Sequence, residues 1–172
     1  YFNGEYRLDP VIAGFFTAAC VFAGSFVRPV GGAVADRIGG VRTLISVYSL
    51  AAVGLVAASF HQPNPYIALT ILLISMMALG AGNGAVFQLA PQRFSKEIGV
   101  MTGLVGAMGG VGGFYLASTL GLAKQVTGSY QAGFVGFASL ALIALIALTC
   151  LKSSWRAAWP KLAGPSSAPV RV

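Results

Sequence analysis

Charged residues are absent from five long stretches of the chain: Val11 to Val27, Thr43 to Phe60, Tyr66 to Gln92, Ile98 to Ala123 and Gln125 to Leu151. The hydrocarbon core of a bilayer takes roughly 20 apolar residues per helical span, so these runs predict five membrane-crossing helices. Barrel strands alternate polar and apolar residues over about 10 positions, and these runs do not alternate. The breakers between them place the helices at about 10–35, 41–60, 66–90, 98–122 and 130–151. Asp9-Pro10 is a helix-start signal, and Asp36 to Gly40 is long enough only to reverse direction. Pro63 and Pro65 close the second helix, Pro91 lies near the end of the third, and Thr127-Gly128-Ser129 marks the last turn. Residues 1–9 read as a loop. Residues 1–152 therefore form an all-α membrane bundle, and 153–172 a basic tail that is expected to be disordered.

Composition agrees with the pattern. Of 172 residues 56% are hydrophobic and 9% charged, with a mean hydropathy of +0.80, whereas a soluble domain carries about a quarter charged residues. An ordinary soluble globule and a disordered chain are excluded. The net charge of +7 suggests nucleic acid until the positions are read, since the basic residues sit in the gaps between apolar runs. The partner they imply is a lipid bilayer and not nucleic acid. Arg37, Arg42, Arg93, Lys96, Lys152, Arg156, Lys161 and Arg171 fall in alternate gaps, and the positive-inside rule makes that side cytoplasmic. Arg7, the turn His61 to Pro65 and Lys124 then lie outside. Trp155 and Trp159 stand among the basic residues of the tail as interfacial anchors do. Cys20 and Cys150 lie inside runs and read as buried, inert thiols, with no disulfide framework or metal site.

An odd number of helices, an outside start and the lack of an initiator Met predict the C-terminal portion of a larger protein, with helices upstream. Within this portion Arg28 is the sharpest chemical signal. It lies about eight residues before the cytoplasmic turn, or ~12 Å along a helix, near the middle of a ~30 Å core. An Arg there is costly, ~2.5–3.5 kcal/mol on insertion scales. No acidic residue sits inside any of the five runs. Two readings stand: Arg28 faces a polar cavity and binds an anion, or it snorkels or pairs with a residue outside this chain. A guanidinium suits a flat oxyanion because its planar fork offers parallel donors. Pro29 also leaves the Ser25 carbonyl without its helical donor, loosening the backbone beside the charge.

Three other segments can carry function. The turn from Gly32 through Asp36, Arg37, Ile38, Gly39, Gly40 and Val41 to Arg42 reads as a charged latch or as a solvated loop. Asn83 and Gln88, deep in the third run, can donate to an anion or bond between helices. The fourth run holds six glycines in the twelve positions from Gly103 to Phe114, with Gly103, Gly106, Gly110 and Gly113 on one helical face. Glycine disfavours a helix by ~1 kcal/mol relative to Ala in water, so this density has a reason. It is either close helix packing of the small-xxx-small kind or a side-chain-free face that admits a small ligand. His61 reads as a solvated turn residue with no acid nearby, which speaks against a membrane-embedded enzyme.

Gly32-x-x-x-Asp36-Arg37-x-Gly39, followed by basic Arg42, resembles the cytoplasmic loop motif of the major facilitator superfamily. That resemblance implies twelve helices in two six-helix halves. The five runs would then be helices eight to twelve, most of the C-terminal bundle. The glycine run from Gly103 is similar to the second nitrate signature of the nitrate/nitrite porter family, which lies in the eleventh helix. Arg28, in Arg-Pro-Val-Gly-Gly ahead of the loop motif, matches that family's eighth-helix arginine. The resemblance implies a multi-pass carrier of the cell (inner) membrane with a cytoplasmic C-terminus and no cofactor. It would move nitrate or nitrite by alternating access, with exchange favoured over proton symport. Arg28, Gly103 and Gly106 would meet the substrate, joined by Asn83 on the strength of its own donor group and not of the resemblance, and Gly32, Asp36, Arg37, Gly39 and Arg42 would form a gating loop. The missing N-terminal half would supply the second arginine. A carrier for another small anion, or an inactive truncated remnant, is the alternative.

Overall fold

Each uncharged run is a helix in the structure, a computed structural model that describes residues 1–93 and 96–162. In chain order the elements are α1 (Phe2–Tyr6), α2 (Pro10–Phe26), α3 (Arg28–Ile38), α4 (Gly40–Ser59), α5 (Pro65–Arg93), α6 (Ile98–Thr127) and α7 (Gln131–Leu162). There is no strand among the described residues. Five spans are long and apolar enough to cross a membrane: Pro10–Ile38, Gly40–Ser59, Pro65–Gln92, Ile98–Thr127 and Gln131–Leu151.

The expected first helix is two. Asp9 caps α2 by accepting from the Val11 N–H at 2.9 Å, and Pro10 occupies its first position. At Val27 the chain breaks into α3, with Pro29 in the first turn of the new helix. The cause is the missing proline N–H read from the sequence. Hydrogen bonding resumes at once, from Gly31 N–H to the Val27 carbonyl at 3.0 Å, so the two halves form one bent span. The reversal after it is tighter than expected, because α3 continues through Asp36 and Arg37 to Ile38. The turn is essentially Gly39, whose φ of 97° favours glycine. Residues 1–9 are not simply a loop either. Phe2 is buried against Ala13 and Ala68, and that contact stabilises the short helix α1 on the end of the bundle. At the far end α7 runs past Leu151 to Leu162, where disorder was expected. The remaining expectation of disorder, on 163–172, lies outside the described residues.

The bundle is built around α5, which packs against α2, α3, α4 and α6, while α4 lies between α5 and α7. Most of its buried positions are small, among them Ala35, Ala51, Ala52, Ala58, Ala68, Ala78, Ala85 and Ala138, with Phe2, Leu44, Leu55 and Phe134 as the larger exceptions. Many large apolar side chains face outward, with Phe15 and Phe22 each 70% exposed and Phe114 71%. That inversion of a soluble core follows from the solvent. Lipid tails are as apolar as leucine, so helices in a bilayer associate through close van der Waals approach.

Glycine makes the closest approach. A Cβ on Gly80 would overlap the Gly24 carbonyl oxygen, one on Gly31 the Ala81 carbonyl, and one on Gly84 the carbonyl oxygen of Arg28. The seam runs along both sides of the break at Val27, so α5 splints the bend.

Candidate functional site

Arg28 opens α3 immediately after the bend. Its backbone is packed on Gly84, and its side chain is exposed on this chain. The ion pairs among the described residues are those of Glu5, so Arg28 has no carboxylate partner there. Asn83, the chain neighbour of Gly84, is half-buried. The structure thus brings Arg28 and the Gly80–Gly84 segment together.

It does not bring the α6 glycines to them. α6 packs on α5 and α7 and has no buried residue. A Cβ on Gly103, Gly106, Gly109, Gly110, Gly112 or Gly113 would meet nothing within 4 Å. Close packing, one of the two readings of this density, is therefore not realised within the chain, and the face is open.

The turn residues separate into two kinds. Gly32 is half-buried, with room for a Cβ at ordinary contact distance (3.6 Å) from the Gly84 carbonyl oxygen, and Gly39 makes the reversal. Asp36, Arg37 and Arg42 are exposed. Asp36 accepts a hydrogen bond from Gln88 Nε2 at 2.5 Å, so its partner is an amide on α5 rather than a neighbouring arginine. Gln88 acts between helices, one of the two roles open to it in the sequence.

The opposite end of the bundle holds a second polar group. Glu5 of α1 accepts from His61 Nδ1 at 3.0 Å through Oε1 and pairs with Lys124 Nζ at 3.5 Å through Oε2. His61 therefore has an acid beside it, contrary to the sequence reading, because α1 folds back over the α4–α5 turn. Lys124 also lies over the Tyr130 ring, 4.8 Å from its centroid. Burial, then the hydrogen bond it shares with Tyr6, pushes the Tyr1 phenol up from its ordinary value. These contacts gather α1, the α4–α5 turn, and the end of α6 on one side, as the charge pattern required. Cys20 is buried, but Cys150 is exposed. Among the described residues no group of His, Cys, Asp and Glu could hold a metal ion.

Gly24, Gly31, Gly80 and Gly84 are packing residues that the charge and glycine pattern of the sequence does not distinguish. The signal for this packing is the pair of small residues four apart at Gly80 and Gly84.

The chain is similar to known transporters. It is 36% identical over 131 residues to the nitrite extrusion protein of Bacillus subtilis, covering 76% of this chain and 33% of that protein. It is 35% identical over 130 residues to the probable nitrate transporter NarT of Staphylococcus epidermidis, with the same coverage. With NarT of Staphylococcus carnosus the identity is 33% over 135 residues, 78% of this chain and 34% of that one. The chain spans about a third of the length of these curated relatives. No solved structure matches it. With five apolar spans, a kinked first span and a Gly-x-x-x-Asp-Arg-x-Gly turn already in place, a family model matching residues 1–167 completes the assignment: the chain belongs to the Major Facilitator Superfamily.

Proposed function

We propose that this chain is the C-terminal part of a nitrate/nitrite transporter and supplies one cationic arm of its anion site. The observation that carries the reading is Arg28: a guanidinium inside a membrane span, exposed on this chain and without a carboxylate partner among the described residues. A charge at that depth is a functional-site residue by default, and its planar fork matches a flat oxyanion. The names of the similar proteins, a nitrite extrusion protein and probable nitrate transporters, support nitrate or nitrite as that oxyanion.

The second cation comes from sequence beyond this chain, in keeping with relatives of which the matched residues make up only 33%. The open glycine face of α6, with Gly103 and Gly106, lines the cavity by backbone, and Asn83 adds a donor. The two halves rock about a midplane site, while Asp36, Arg37 and Arg42 stabilise one gate state on the cytoplasmic side of the cell membrane. Carrying a monovalent anion inward against the membrane potential costs ~2.3 kcal/mol per 100 mV. Uptake is therefore coupled, and the lack of acidic residues in the uncharged runs favours nitrate/nitrite exchange. The chemistry is transport, with no bond made or broken in the substrate.

The test is exchange of labelled nitrate for nitrite in liposomes containing the full-length carrier. Arg28→Lys keeps the charge and loses the fork, and is expected to lose most exchange. Near-normal exchange by that variant overturns the clamp, and equal inhibition by chloride or formate replaces nitrate with another small anion.

A further inference from the structure

We infer that Gly84 is a positioning residue for Arg28: its lack of a side chain sets where α3 presents the guanidinium. The inference rests on the anion-site reading above and deepens it. A Cβ at Gly84 would fall on the Arg28 carbonyl oxygen and lie 2.8 Å from the Arg28 carbonyl carbon and 3.0 Å from the Gly32 amide nitrogen. It touches backbone, which cannot rotate away, so a methyl group there moves α3 relative to α5 by about 1 Å.

That displacement is concentrated at Arg28 for two reasons. The residue directly follows the break at Val27, where Pro29 has removed a helical hydrogen bond, so α2 does not hold α3 rigidly. The restraint comes instead from α5. Gly80 seats the Gly24 carbonyl before the break, Ala81 and Gly84 seat Gly31 and Arg28 after it, and Gln88 holds Asp36 one turn further on. α5 thus acts as a splint whose groove at Gly84 receives the first peptide of α3. Gly14, on the same bent span, supplies a contrast, because a Cβ there meets nothing within 4 Å.

The experiment uses the full-length carrier with Cys20 and Cys150 replaced by Ser, and reads two things. The first is the rate at which a water-soluble methanethiosulfonate reagent labels Arg28→Cys, with and without Gly84→Ala. A several-fold change in labelling rate with Gly84→Ala, and none with Gly14→Ala, is expected. The second, with Arg28 restored, is nitrate exchange, where Gly84→Ala is expected to raise KM about tenfold while the maximal rate of the inserted protein changes little. An unchanged labelling rate overturns the inference, as does a fall in maximal rate with KM intact. If Gly84→Ala fails to reach the membrane, Gln88→Leu loosens the same seam without added bulk, and its labelling rate decides in the same way. Failure of the anion reading is separately visible, since it leaves KM unmoved by Arg28→Lys whatever the labelling shows.

Discussion

Gln88 Nε2 donates to Asp36 Oδ1 across 2.5 Å and ties α5 to the end of α3, while the same amide's Oε1 is buried without a hydrogen-bond partner. Two substitutions at this one contact should differ in effect. Asp36→Ala leaves the whole Gln88 amide unsatisfied, whereas Gln88→Leu removes the buried polar group together with the bond. Stranding a buried polar group costs about 1–3 kcal/mol, and deleting both needs costs much less. Thermal unfolding of the solubilised carrier should place Asp36→Ala clearly below Gln88→Leu. The reverse order would mean that Asp36 owes little to this bond.

The glycines of α6 should behave unlike those of α5. Gly103→Ala and Gly106→Ala add methyl groups in open space and raise helix propensity by up to ~1 kcal/mol each. Stability should hold or rise while nitrate exchange falls. Gly80→Ala drives a methyl into the Gly24 carbonyl oxygen and should lower stability. Unfolding curves and exchange rates measured on the same preparations check both. Loss of stability in the α6 variants would return those glycines to a packing role against sequence beyond this chain.

Glu5 links α1 to His61 and Lys124 with moderate exposure, its side chain at 22% against 61% and 34% for its partners. Exposed ion pairs contribute ~0.2–1 kcal/mol and weaken as salt shortens the screening length from ~10 Å at 0.1 M to ~3 Å at 1 M. Glu5→Gln should therefore lower the melting temperature slightly, with a gap to the parent that closes between 0.1 M and 1 M salt. A gap indifferent to salt would show that Glu5 works through the packing of α1.

Much was legible from one dimension, for physical reasons. A bilayer forces every spanning backbone group to be satisfied within its own helix, so uncharged runs map directly onto spans. Pro29 announced the bend beside Arg28, since a missing N–H acts locally. Gly128 announced the end of α6, where it adopts φ 73°. The grouping of His61 and Lys124 at one end of the bundle followed from counting alone.

Residue order could not say which helix lies against which, because packing couples positions far apart in the chain. The acid beside His61 comes from 56 residues earlier, and the amide that holds Asp36 from 52 residues later. The two glycine-rich segments look alike as strings of letters, yet the Gly80–Gly84 segment is pressed onto α2 and α3 while the Gly103–Gly113 segment stands open. Backbone contact of that kind depends on the rotation and crossing of two helices, quantities that composition and periodicity do not encode.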